Sequence, residues 1–322
     1  MWNNNVLEII GNTPLIKLNK VTKDIKATVL AKLECFNPGG SIKDRMALYI
    51  LDKAKAEGKL NSDSTIVENT SGNTGVGIAL YAGVNGQKTI FTIPDKMSMG
   101  KINFLKAFGA EVFVCPTAVP YDSPESYYEV AKRIAKETPN SFALNQYHNT
   151  DNLETHYKIT GPEIWEQAEH KIDYVIIGAG TGGTVSGIGK FLKEKNPDIK
   201  VIAVDPIGSI YYDYFKSKKF IEPKVYFVEG IGEDMMCENM DFSVIDDIIQ
   251  VTDKDSLLMS RQLLKEEGIF VGGSSGATVW AGLEVAKKLP ENKIVVTVLP
   301  DGGYSYIEKI FNDEWMKEKG FI

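Results

Sequence analysis

Strand-like and helix-like periods alternate along this chain from about Lys43 to its end, and that alternation leaves few folds open. Apolar residues at helical spacing predict helices over 43–57, 73–84, 98–108 and 125–137. Strand-like runs at 65–68, 88–93 and 111–115 lie between them, after an earlier β-branched run at 27–34. A second series follows: helix 153–168, strand 173–177, helix 183–195, strand 199–205, helices 254–267 and 275–289, strand 293–299 and a helical tail. Strands alternating with amphipathic helices mean an α/β fold with mostly parallel sheets. The runs 174–177 and 294–299 are apolar on both faces, as buried parallel strands are. With 322 residues, about two domains of ordinary size are expected. No repeat or low-complexity linker interrupts the pattern. The expectation is two α/β lobes with a cleft between them and ligands at the carboxyl ends of strands.

Composition removes several functions. A net charge of −7 with no long basic run argues against nucleic acid as a partner. No stretch reaches the apolar length of a membrane span. The start, Met1-Trp2-Asn3-Asn4-Asn5, lacks the basic-then-apolar pattern of a signal peptide. Cys35, Cys115 and Cys237 are few, odd in number and far apart, so a reducing, cytoplasmic setting is expected. His148, His156 and His170 do not cluster with cysteines, so no metal site is expected, and they read as surface or partly buried polar residues.

The chemistry gathers at glycine-rich turns. Asn37-Pro38-Gly39-Gly40-Ser41-Ile42-Lys43-Asp44-Arg45 joins a strand-like run to a helix. Ser41 suits an N-cap. Lys43 then falls in the first helical turn, where the dipole disfavours a cation, a condition suited to a nucleophilic or Schiff-base lysine. Glu68-Asn69-Thr70-Ser71-Gly72-Asn73-Thr74-Gly75 follows a strand and opens a helix, with hydroxyls and backbone N–H groups sized for a carboxylate. Gly178-Ala179-Gly180-Thr181-Gly182-Gly183-Thr184 matches G-x-G-x-x-G, with the acidic Asp205 ending the next strand. That pattern suits a phosphate on a helix N-terminus, whether of a dinucleotide or of a smaller cofactor. Two further turns are Val271-Gly272-Gly273-Ser274-Ser275-Gly276 and Leu299-Pro300-Asp301-Gly302-Gly303. A lysine, a carboxylate cradle, a phosphate cradle and a serine-bearing turn are the parts that pyridoxal phosphate needs.

In these motifs the chain resembles the cysteine synthase and cystathionine β-synthase family of fold type II pyridoxal-phosphate enzymes. The likeness runs from Gly11-Asn12-Thr13-Pro14-Leu15 to about Trp315, with the motifs in the family's order and spacing. The dinucleotide reading leaves the first and third motifs unexplained. The resemblance implies a tryptophan synthase β-like fold with a small mobile lobe at 41–145 that closes over the substrate. The larger lobe, 1–40 with 146–322, binds the cofactor phosphate. Carried over by position, Lys43 forms the Schiff base and moves the Cα proton, and Asn73 bonds the ring hydroxyl. Gly180, Thr181, Gly182, Gly183 and Thr184 hold the phosphate, and Ser274 faces the pyridine nitrogen. Thr70, Ser71, Thr74 and Gln146 hold the substrate carboxylate. A serine at the ring nitrogen leaves the pyridine uncharged and favours prompt loss of a β-substituent over transamination. The implied reaction is β-elimination to an aminoacrylate followed by addition of a nucleophile, in a homodimer.

The branch is read at Glu229-Gly230-Ile231-Gly232-Glu233-Asp234-Met235. Cystathionine β-synthases carry an aspartate at the position of Asp234, where sulfhydrylases usually have small or apolar residues. The segment 204–209 also looks closer to cystathionine β-synthase. Asp234 is therefore expected to orient an amino group, water or thiol near the β-carbon. Gly100, within the loop 96–101, departs from the acidic residue usual there, which puts lobe closure or nucleophile choice in question. The 322 residues hold no haem-binding extension or regulatory domain of the animal type, so neither control is expected. The leading expectation is β-replacement at cysteine or serine, including hydrogen sulfide release, with water, a thiol or sulfide as nucleophile. O-acetylserine sulfhydrylase is the first alternative and a serine or threonine dehydratase the second.

Overall fold

The computed structural model describes residues 2–322 apart from Ser71, Lys96 and Ser98. In chain order the strands are β1 (Leu15–Lys17), β2 (Thr28–Leu33), β3 (Thr65–Asn69), β4 (Lys88–Pro94), β5 (Glu111–Cys115), β6 (Ser141–Ala143), β7 (Tyr174–Gly178), β8 (Lys200–Pro206), β9 (Asp247–Val251) and β10 (Ile294–Leu299). The helices are α1 (Lys43–Ala56), α2 (Asn73–Asn85), α3 (Met99–Ala107), α4 (Tyr127–Glu137), α5 (Asp151–Thr155), α6 (Gly161–Gln167), α7 (Gly183–Lys195), α8 (Tyr211–Ser217), α9 (Asp253–Gln262), α10 (Gly273–Ala286) and α11 (Asp313–Glu318). The chain gathers into two compact units, residues 1–11 with 37–151 and residues 12–36 with 152–322.

The first unit is built on a four-stranded parallel sheet in the order β5-β4-β3-β6. Its core joins Met46, Ile50 and Leu51 of α1 to Ile78 and Tyr81 of α2 and to Ile66, Phe91 and Ile93 of the sheet. Residues 1–11 belong here because the short helical turn Val6–Ile9 packs on α2. The Gly11 N–H also donates to Asn37 Oδ1 at 2.9 Å.

The second unit carries a six-stranded sheet in the order β1-β2-β10-β7-β8-β9. Every pairing in it is parallel except β1 with β2. The antiparallel β1 and the short β6 lie in stretches where three residues are too few to set a period. Strands β7 and β10 are buried and apolar, as their sequences predict. The predicted helix 153–168 is divided: a wide π turn, His156–Thr160, separates α5 from α6. Apolar spacing does not distinguish that wider hydrogen-bond step from an ordinary helical one.

A buried polar network ties the start of this unit together. Lys32 on β2 is fully buried and pairs with Glu163 on α6. Its Nζ also donates to the Thr13 carbonyl at 2.7 Å and to Gln167 Oε1 at 2.6 Å. Glu163 in turn accepts the Asn12 and Thr13 N–H groups, both at 3.0 Å. The charge is thus fully bonded in the interior, the condition under which a buried pair is tolerated.

Candidate active site

In both sheets the strand order reverses at a point that the motifs mark. In the first unit β4 and β5 lie on one side of β3 and β6 on the other; in the second, β8 and β9 lie on one side of β7 and β10 on the other. Such switch points open crevices at the carboxyl ends of strands. The turn after β3 and the turn after β7 are the polar and glycine-rich motifs.

In the first unit, Thr70 turns the chain from β3 into α2. Its Oγ1 accepts the N–H groups of Gly72 at 3.0 Å and Gly75 at 3.2 Å. Thr74 donates from Oγ1 to Gln146 Oε1 at 2.7 Å, and Gln146 Nε2 donates to the Asn69 carbonyl at 3.1 Å. Thr70, Thr74 and Gln146 are thus brought together, all buried. Ser71, the fourth expected carboxylate-binding residue, lies outside the described residues. Asn73 is the first residue of α2 and half-buried.

Lys43 is the first residue of α1. Ser41 was expected as the N-cap; that position belongs to Ile42, and Ser41 Oγ instead accepts the Lys43 N–H at 3.2 Å. The fully buried Asp44 reaches back to accept the Gly39 N–H at 2.5 Å, which closes the turn preceding the lysine. Helix α2 packs on α1 at this level. A Cβ on Gly77 would stand 3.1 Å from the Lys43 carbonyl oxygen and 3.0 Å from Ala47 Cβ, so the glycine lets the helices approach at the lysine. Gly100 falls at the start of α3, while Lys96 and Ser98 of the same loop lie outside the described residues.

In the second unit, β7 ends at Gly178 and the turn leads into α7. Gly182 is the N-cap residue, with φ +88°, and a Cβ there would meet Met240 N at 2.6 Å. Only glycine fits both conditions. Among the described residues, no side chain caps α7. Its first N–H groups therefore keep the anion affinity of a helix N-terminus. Two threonines of the motif are held from behind. Asn152 Nδ2 donates to Thr181 Oγ1 at 3.0 Å, and the buried His156 places Nε2 3.2 Å from Thr184 Oγ1. The other ring nitrogen of His156 lies 2.9 Å from Thr160 Oγ1. The expectation of a surface or partly buried histidine is corrected: His156 is 1% exposed and sits behind the glycine-rich turn.

The loop 229–235 is tied to that turn. Gly232 N–H donates to the Ala179 carbonyl at 2.6 Å, and Glu233 N–H to Ser209 Oγ at 3.0 Å. Tyr211 donates from its hydroxyl to the Gly180 carbonyl at 2.9 Å. Asp234, on this loop, is exposed. Ser274 sits in the first turn of α10, which among the described residues also lacks a side-chain cap. It is buried, and its Oγ is the atom nearest to where a Cβ on Gly230 would be, at 3.8 Å. The turn bearing Ser274 is bonded to the turn after β10, with Gly272 N–H donating to the Asp301 carbonyl at 3.2 Å. Tyr306 closes this corner, its hydroxyl donating to Asp301 Oδ2 at 2.6 Å. Asp205, the acid a dinucleotide would need for its ribose, is fully buried and accepts the Tyr212 N–H at 2.9 Å. Burial pushes its carboxyl up to about 7, against hydrogen bonds from Ser209 and Tyr212. That carboxyl is committed to the fold and not open to a diol.

Glu68 reads from sequence only as the residue before a motif, yet it is central to the first unit. It is buried, and burial pushes it up to about 8 against two backbone N–H bonds. A glutamate ending a strand suggests a solvent edge, and Asn152 and His156 carry no motif. Only the four-residue spacing of the latter pair, opposite two threonines three apart, could have marked them.

These residues fit a phosphorylated cofactor: an uncapped helix N-terminus behind a forced glycine, hydroxyls held in place, and a neutral serine at a second uncapped helix. The profile described as "Pyridoxal-phosphate dependent enzyme" matches residues 6–301. The chain belongs to that family. Pyridoxal 5'-phosphate is its cofactor, as the motifs require. It is 48% identical over 319 residues to "Cystathionine beta-synthase" of Apis mellifera, covering 98% of this chain and 63% of that protein. The chain therefore spans under two thirds of the length of that relative. Among solved structures it resembles the "O-acetylserine dependent cystathionine beta-synthase from Helicobacter pylori", with 35% identity and a TM-score of 0.87 over 96% of this chain and 98% of that one. It equally resembles "a hydrogen sulfide-producing enzyme (Fn1220) from Fusobacterium nucleatum", with 35% identity and a TM-score of 0.87 over 95% and 98%. Among the described residues, no helix is long and apolar enough to cross a membrane.

Proposed function

We propose that this protein catalyses β-elimination and β-replacement on L-cysteine or L-serine, releasing hydrogen sulfide when cysteine is the substrate. The observation that carries the reading is the loop 229–235, which is bonded to the glycine-rich turn and presents Asp234 exposed. The cofactor, when bound, supplies the electron sink that lets the Cα–H bond and the bond to the β-substituent break. The chain's own residues do the rest. Gly180, Thr181, Gly182, Gly183 and Thr184 bind the phosphate, Asn73 the ring hydroxyl, and Ser274 faces the ring nitrogen without protonating it. Lys43 holds the cofactor through Nζ and moves the proton at Cα. Thr70, Ser71, Thr74 and Gln146 bind the substrate carboxylate, which orients the Cα–H bond toward that amine. Asp234 accepts a hydrogen bond from the incoming water or thiol at the β-carbon. A homodimer, on the family resemblance, and a cytoplasmic setting, on the three scattered cysteines, belong to the same reading.

The test is the visible absorption of the purified protein with L-cysteine, L-serine and O-acetylserine added separately. A shift of the cofactor band with cysteine or serine, with sulfide appearing from cysteine, is the expected result. Lys43→Ala should abolish that turnover, and Asp234→Asn should lower it with either amino acid. Turnover of cysteine and serine unchanged in Asp234→Asn would remove the role given to the loop. A second reading, use of O-acetylserine, is favoured by the likeness to the O-acetylserine dependent enzyme of Helicobacter pylori. A response confined to O-acetylserine would establish it instead.

A further inference from the structure

We infer that Glu68 is the positioning residue of the carboxylate clamp, holding Gln146 in place through the backbone of the turn after β6. The inference rests on the clamp reading above. The need for such a residue follows from the sheet. Strands β3 and β6 pair only from Thr65 with Ser141 to Val67 with Ala143. Beyond Ala143 the chain leaves the ladder, and Asn145 takes a left-handed backbone with φ +56°. The N–H groups of Asn145 and Gln146 then fall past the end of that ladder; Asn145 is exposed, but Gln146 is buried, where an unbonded donor is costly.

The Glu68 side chain replaces the missing strand. One carboxyl oxygen accepts the Asn145 N–H at 2.7 Å and the other accepts the Gln146 N–H at 3.2 Å. Glu68 is 2% exposed and Gln146 4%, so the bond between them does not compete with bulk water. The Gln146 amide is fixed at the same time by Thr74 and by the Asn69 carbonyl. Its backbone is therefore set by a residue of β3, and its side chain by the residues that follow. All the groups belong to one switch point of one sheet. Glu68 touches no reacting atom in this arrangement; it acts through Gln146.

A double-mutant cycle on the holoenzyme tests this, read as KM and kcat for L-cysteine, L-serine and O-acetylserine, which share the α-carboxylate. Glu68→Gln keeps one acceptor oxygen and turns an NH2 group toward a backbone N–H. It should raise KM on the order of tenfold, the cost of one buried N–H left unbonded, with kcat changed less than about twofold. Gln146→Ala should raise KM by itself. Adding Glu68→Gln to Gln146→Ala should then change KM less than about twofold, because the two act through one group. A full tenfold effect of Glu68→Gln, on the order of that lost bond, persisting beside Gln146→Ala overturns the inference and leaves the clamp standing. An unchanged KM in Gln146→Ala for every substrate overturns the clamp itself, and the inference with it. If Glu68→Gln does not fold, hydrogen exchange on the wild-type holoenzyme decides. The Asn145 and Gln146 amides should be protected like those of the β3–β6 ladder, and exchange at loop rates overturns the inference.

Discussion

Glu68 makes its ionisation a matter of stability as well as placement. Its carboxyl ordinarily titrates at 4.5, and burial raises it to about 8 in the fold. The folded protein therefore binds a proton that the unfolded chain has released across that window. The sign follows directly: stability from this group is complete below pH 4.5 and is lost as pH rises through about 8. The loss is on the order of a few kcal/mol, given the size of the shift. Glu68→Gln carries no such proton and has no such slope. Thermal melts of wild type and variant, stepped between about pH 5 and about pH 8, should thus show the wild type losing ground steadily to the variant. Parallel melting curves would mean that Glu68 is ionised throughout. The group was hidden in the sequence because burial, not residue type, sets its behaviour, and burial depends on residues 77 and 78 positions away.

At the scale of elements, the helix N-termini bear on where an anion can bind. Three away from the motifs are capped by their own sequence: Ser126 caps α4, Thr252 caps α9 and Asn312 caps α11, while α6 and α8 have no such cap. In the helices that follow the motif turns, α1, α2, α7 and α10, the N-cap residue itself makes no side-chain bond. Ser41 nevertheless accepts the first N–H of α1, and Thr70 the Gly75 N–H of α2. An uncapped terminus forgoes roughly 1 kcal/mol, which a bound anion restores. Gly182→Ala tests this at α7, since its Cβ would press on the Met240 backbone in a left-handed conformation. The variant should bind pyridoxal phosphate at least about tenfold more weakly, a displaced loop losing one or more charge-assisted hydrogen bonds. Equilibrium reconstitution of the apoprotein measures it, and unchanged affinity would mean that the cradle lies elsewhere. The motif turns were legible because glycine and small polar residues at strand ends have few other uses. The supports were not. Asn152 lies on the short α5 and His156 opens a π turn that no spacing rule marks, and Ser41 looked like a cap because it stands one residue from the true one.

At the scale of the whole chain, the roles proposed for holding the cofactor and for using it fall on different units. Each unit has its own sheet and its own core, and the alternation of strand and helix periods announced both. What the alternation did not announce is that residues 1–11 belong with the first unit, because one hydrogen bond from Gly11 and one helical turn on α2 carry no period. The phosphate turn and Ser274 lie in the second unit, Lys43 and the carboxylate clamp in the first. A ligand that binds only the folded state stabilises it by about 2.7 kcal/mol at a hundredfold excess over Kd. If the phosphate turn supplies most of the affinity, Lys43→Ala apoprotein should still gain most of the wild-type rise in Tm on adding pyridoxal phosphate. Gly182→Ala, binding about tenfold more weakly, should keep only about half of it at the same concentration although its lysine is intact. Turnover should follow the opposite division, absent in Lys43→Ala and recoverable in Gly182→Ala at high cofactor. The check is calorimetry of the three apoproteins across a cofactor titration, with assays on the same samples. A Lys43→Ala protein that gains no stability would place the affinity in the lysine bond, and the uncapped helices would then need another ligand.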